Sequence, residues 1–79
     1  MPNDDLARLG AIEKAKSDVR RWRAIAKSHA QSLTTGLYVT GEVEDLDVEQ
    51  IRSLAEELAG AVGEIKRARS RLADLGGTL

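Results

Sequence analysis

The chain has 79 residues, with twelve Lys and Arg against thirteen Asp and Glu, one His, and neither Cys nor Phe. That length holds one domain with a modest core; the missing cysteines exclude disulfides and thiolate metal sites, and a single Trp and Tyr leave the core short of the residues that bury most area. A net charge of -1 conceals abundant charge of both signs, which excludes a global attraction to a polyanion and directs attention to local patches.

A first helix is predicted from about residue 4 to residue 34. Asn3 is a good N-cap, and Asp4 and Asp5 fall in the first turn, where the positive end of the helix dipole favours carboxylates. Ile12, Ala15, Val19, Trp22, Ala26, His29 or Ala30, and Leu33 recur at helical spacing and define one face. Thr34-Thr35-Gly36 closes the pattern, with two β-branched residues followed by a glycine able to turn left-handed. Leu6, Leu9 and Ile25 fall off the main face, so the apolar surface is wider than one partner helix covers.

Residues 35–46 read as an extended connection. Leu37, Val39 and Val43 alternate with Tyr38, Thr40, Glu42 and Glu44, a strand-like period interrupted by Gly41. A lone strand cannot satisfy its own backbone. The preferred expectation is therefore a loop that packs Leu37 and Val39 onto the helix ends; the alternative is a strand paired with the same segment of another copy.

The second helix is predicted from about residue 48 to residue 75. Asp47 caps it, Gln50 stands where a capping box needs it, and Leu46 and Ile51 flank the box as a hydrophobic staple. Its heptad-like series of Ile51, Leu54, Leu58, Ala61, Ile65, Ala68, Leu72 and Leu75 makes a narrow seam of alternating large and small residues, which must be buried against other helices. Gly76-Gly77 ends the helix. Gly60 and Gly63 lie inside it, away from the seam, each costing roughly 1 kcal/mol relative to Ala.

The implied fold is all-α: residues 1–79 form a single antiparallel hairpin of two long helices. Its seam is built from Ile12, Val19, Trp22, Ile51, Leu54, Leu58, Ile65 and Leu72. A hairpin is only a half-covered layer, so a second copy is expected to complete a four-helix bundle.

Charge is segregated along this rod. Lys14, Lys16, Arg20, Arg21, Arg23 and Lys27 crowd the middle of the first helix, and Lys66, Arg67, Arg69 and Arg71 crowd the end of the second. Folding back about the connection sets residue 16 near the level of residue 66, so the two groups share one basic zone. Glu42, Glu44, Asp45, Asp47, Glu49, Glu56 and Glu57 make the turn end acidic. Glu13, Asp18 and Glu64 are local counter-charges within the basic zone. A complementary contact with the acidic end of another copy, or with an acidic protein, is a second use of that zone.

A third use is nucleic acid. Arg20-Arg21-Trp22-Arg23 has basic and aromatic ingredients, and Lys16, Arg20, Arg21, Arg23, Lys66, Arg67, Arg69 and Arg71 are the candidate contacts, although Trp22 falls on the core face. In general plan the hairpin resembles the small RNA-binding hairpin dimers of plasmid copy control, a likeness that implies a nucleic-acid-binding dimer. The extended segment before a well-capped helix resembles that of small head-to-tail joining proteins of tailed phages, which implies a structural part of a viral particle.

Nothing in the chain carries a chemical signature. His29 is the only histidine and no Ser or Cys is tied to it by spacing; Asp45, Asp47 and Glu49 lack the glycine and the distal glutamate of an EF-hand loop; Gly36 and Gly41 are too isolated to cradle a phosphate. No catalytic residue, metal ligand, cofactor or small-molecule substrate is assigned. With neither a secretory signal nor a bilayer-length apolar run, and with a first helix whose apolar face is mostly Ala, the expectation is a cytoplasmic protein without a membrane partner. The expected function is non-enzymatic: a small homodimeric regulator, inhibitor or assembly factor, of the kind a phage or mobile element encodes. It would offer Leu6, Leu9, Ile25, Leu37, Tyr38 and Val39 to another protein.

Overall fold

Two helices lie side by side along almost their whole length in the computed structural model, which describes residues 2–38 and 41–78. Helix α1 is Pro2–Gly36 and helix α2 is Val48–Asp74, with one 3-10 turn, Val43–Asp45, between them and no strand among the described residues. The rod measures 65 × 14 × 13 Å. Val39 and Thr40 of the connection lie outside the described residues.

Local chemistry explains each boundary. Helix α1 begins at Pro2, one residue before the expected cap, so Asn3 stands inside the first turn; proline suits the first helical position because its fixed φ is already helical and its missing N–H has no intrahelical acceptor there. At the other end the helix runs two residues beyond Thr34. The Thr34 and Thr35 hydroxyls donate to the carbonyls of Ala30 and Gln31 at 2.9 and 3.1 Å, which folds these side chains back onto the preceding turn. Gly36 is helical rather than left-handed; Gly76 alone among the described glycines has a positive φ.

Asp47 caps α2 as expected, accepting the Gln50 backbone N–H through Oδ1 at 3.1 Å. The reciprocal bond from the Gln50 side chain is not among those formed by the described residues, so this is a simple cap rather than a capping box. Helix α2 ends in a Schellman motif: the N–H of Gly76 donates to the Ala73 carbonyl at 3.0 Å and that of Gly77 to the Leu72 carbonyl at 2.9 Å. The chain then folds so tightly that a Cβ at Gly77 would overlap Leu72 and press on Ile12. Arg8 of α1 completes this end, donating through Nε to the Leu75 carbonyl at 2.9 Å.

The core is made of small residues. Ala15, Val19, Ala26, Ala61, Ala68 and Leu72 are the buried apolar side chains, and their size lets the helices approach closely. The larger members of the seam, Ile12, Trp22, Ile51, Leu54, Leu58 and Ile65, are only half-buried. Leu37 does not pack onto the helix ends as expected but stays half exposed, at 51%. A typical folded monomer of 8.6 kDa exposes about 4,700 Å², whereas this chain exposes 5939 Å². The excess of roughly 1,200 Å² is more than the roughly 800 Å² that each partner contributes to an ordinary stable interface.

Candidate interaction surfaces

The cross-links between the helices fix their register. His29 Nδ1 lies 3.4 Å from Glu57 Oε2, and Arg71 Nη1 lies 3.5 Å from Asp18 Oδ2. A Cβ at Gly36 would sit 3.7 Å from Ile51. Residue 16 therefore lies level with the stretch around residue 71, not residue 66 as expected, and Lys66 is level with Arg20 and Arg21. The basic zone survives this shift because both basic groups are long.

The interior of that zone is partly self-neutralised. Lys16 pairs with Glu13 at 3.8 Å, Arg21 with Asp18 at 3.8 Å, Arg71 with the same Asp18, and Arg67 with Glu64. Surface pairs of this kind are worth about 0–1 kcal/mol each, but they engage half of the eight candidate nucleic-acid contacts. Arg20, Arg23, Lys66 and Arg69 make no ion pair among the described residues. Trp22 is half-buried and the Arg21 guanidinium sits 5.6 Å from its ring centroid, so the cation covers the ring a base would stack on.

The candidate protein-binding residues separate into two groups at opposite ends. Leu6 and Leu9 are 65% and 58% exposed near the open end of the rod, while Leu37 and Tyr38, the latter 74% exposed, sit at the turn end. Ile25 is half-buried beside Trp22, and Val39 lies outside the described residues. Val43 and Val48 join the turn-end group, at 65% and 60% exposed. They escape a reading that looks for a single seam, although the valine after the Asp47 cap is visible in the sequence as an apolar residue three positions before Ile51.

Between the end of α1 and the start of α2 lies a shallow cleft of about 350 Å³, lined in part by Ser32, Thr35, Asp47 and Gln50. The Thr35 hydroxyl and the Asp47 carboxylate are already committed to backbone groups. His29 and its carboxylate neighbour stand farther down the rod and do not line it. No cluster of three His, Cys, Asp or Glu side chains suited to a metal ion occurs among the described residues. No described helix is long and apolar enough to cross a membrane. Comparison with known protein families, curated proteins and solved structures finds no match.

Proposed function

We propose that this chain is a non-enzymatic protein-binding module: a helical hairpin that dimerises into a four-helix bundle and captures another protein, as a small regulator, inhibitor or assembly factor does. The observation that carries the reading is the mismatch between core and surface. A rod whose buried residues are mostly Ala leaves Leu6, Leu9, Leu37, Tyr38, Val43 and Val48 more than half exposed, a distribution of bulky apolar side chains that marks contact surfaces. Two symmetry-related hairpins turn half-buried seam residues into core. The exposed leucines near the open end then supply a few apolar anchors, rimmed by Arg8, Glu13 and Lys14, to a second protein.

Affinity capture with tagged wild type and with the double variant Leu6→Ala, Leu9→Ala tests this, with light scattering on both to show the same oligomer. The expected outcome is a binding partner retained by wild type and lost by the variant. Identical captured proteins from the two would remove these leucines as the binding surface.

Nucleic-acid binding is the second reading, favoured by Arg20, Arg23, Lys66 and Arg69, which make no ion pair among the described residues. It requires retention on a polyanion column that falls steeply with salt, since each phosphate contact releases a counterion. Passage through the column at about 50 mM salt, where the Debye length still exceeds 10 Å, removes it.

A further inference from the structure

Helix α2 carries a second seam. Glu57, Glu64 and Arg71 recur every seventh residue along the side that meets Asp18 and His29 of α1 or borders them. With about 100° between successive residues, the flank of the same helix away from these charges presents Val48, Ile51, Ala55, Leu58, Val62 and Ile65, at strictly alternating steps of three and four and about a quarter turn from the Ala61, Ala68 and Leu72 that face α1. None of these six is buried: Val48 is 60% exposed, Ala55 is exposed, and the other four are half-buried. Ile51, Leu58 and Ile65 are shared with the seam toward α1, and their outer sides, with Val48, Ala55 and Val62, are left to an outside partner.

We propose that a second copy of this chain covers this stripe, with the two α2 helices antiparallel about a two-fold axis near residues 55–58; the inference rests on the dimer reading above and adds its face, direction and register. Pairing the stripe with itself about its own midpoint sets Val48 opposite the second copy's Ile65, Ile51 opposite Val62, and Ala55 opposite Leu58. The same register brings the cap residue Asp47 to the level of the second copy's Lys66 and directs the preceding 3-10 turn, which carries Glu44, toward its Arg69. Within the hairpin these four have no ion-pair partner among the described residues. The apolar repeat and the charge pattern are independent features of the sequence, and both select one alignment. A parallel dimer uses the same stripe but sets acid beside acid and base beside base, which like-charge repulsion disfavours. The antiparallel register also leaves Leu6 and Leu9 overhanging the region of overlap, free for a different protein.

Two measurements test this. In the first, dimer affinity is measured by sedimentation equilibrium for Glu44→Arg, Arg69→Glu and the double variant. Each single reversal places two like-charge contacts in the symmetric dimer and is expected to weaken it roughly tenfold, while the double variant recovers to within about threefold of wild type. Residues 44 and 69 are separated by roughly 30 Å along one rod, so recovery arises only between copies; a double variant as weak as the product of the singles overturns the register. In the second, the absence of native cysteine gives each variant one thiol. Ala55→Cys, about 5 Å along the axis from its counterpart, is expected to oxidise to a disulfide-linked dimer, whereas Ala73→Cys, about 50 Å from its counterpart, is not. Cross-linking at both positions establishes a parallel bundle and overturns the inference. A dimeric mass without cross-linking at residue 55 overturns the face while sparing the dimer reading, and a monomeric wild type removes both.

Discussion

At Gly76 the backbone φ is +77°, and a Cβ there would come within 2.6 Å of the Arg8 guanidinium, which itself reaches across from α1 to hold the Leu75 carbonyl. Two separate penalties therefore meet any side chain: the left-handed conformation, worth about 1–2 kcal/mol for a non-glycine residue, and displacement of the arginine that ties the open end together. Gly76→Ala is expected to destabilise the protein by about 2 kcal/mol in urea unfolding; a loss below about 0.5 kcal/mol would show that the Schellman turn re-forms without glycine. At the other end of α2 the single Asp47 to Gln50 hydrogen bond gives a cap whose removal in Asp47→Ala is expected to cost about 1 kcal/mol. Far-ultraviolet circular dichroism during the same unfolding series reports whether helix content falls with it. Both ends of α2 are legible in the sequence because a cap and a glycine pair act on their immediate neighbours. The end of α1 is legible to within two residues, at Thr34-Thr35-Gly36. Thr34 and Thr35 look like terminators until their hydroxyls are seen bonding to carbonyls four residues back, a rotamer choice that residue type does not reveal.

Among the elements, α2 is the more amphipathic and α1 the more evenly charged, so the packing seam is easier to place on α2 than the full apolar surface is on α1. The heptad of α2 identifies Ala61, Ala68 and Leu72 as interior, and the structure buries all three. The alternation of large and small residues does not tell which members contact α1 completely and which only lean on it. Small residues are interior because they let the helices approach closely, while the larger Ile51, Leu54, Leu58 and Ile65 are only half-buried. Gly60 breaks the helix-forming composition of α2 without a packing reason, since a Cβ there meets nothing within 4 Å. It also lies away from both stripes of the helix. Gly60→Ala is therefore expected to stabilise the chain by about 1 kcal/mol, a rise of about 4–8 °C in Tm, with the mass in solution unchanged. A Gly60→Ala variant that loses its oligomer would instead show that a second surface approaches the helix at that glycine.

For the whole molecule, surface and core disagree in a way that makes stability depend on concentration. Among the described residues six buried side chains, four of them alanine, give little apolar burial for about 70 ordered residues, and the conformational entropy of ordering them opposes folding at roughly 1–2 kcal/mol each. The half-buried Ile51, Leu58, Val62 and Ile65 are apolar surface against which a second hairpin can supply what the first lacks. If folding and association are linked in this way, the unfolding equilibrium releases two chains from one dimer, and each tenfold dilution removes about 1.4 kcal/mol of apparent stability per dimer. With about 0.7 kcal/mol of unfolding enthalpy per residue, or about 110 kcal/mol for two chains, that corresponds to a fall in Tm of about 4–5 °C. Melting curves recorded at a few micromolar and at a few hundred micromolar are expected to differ by about twice that shift. Superimposable curves across this range, with full helix content at the lower concentration, would mean that the hairpin stands alone, and the exposed stripe on α2 would then need an occupant other than its own copy.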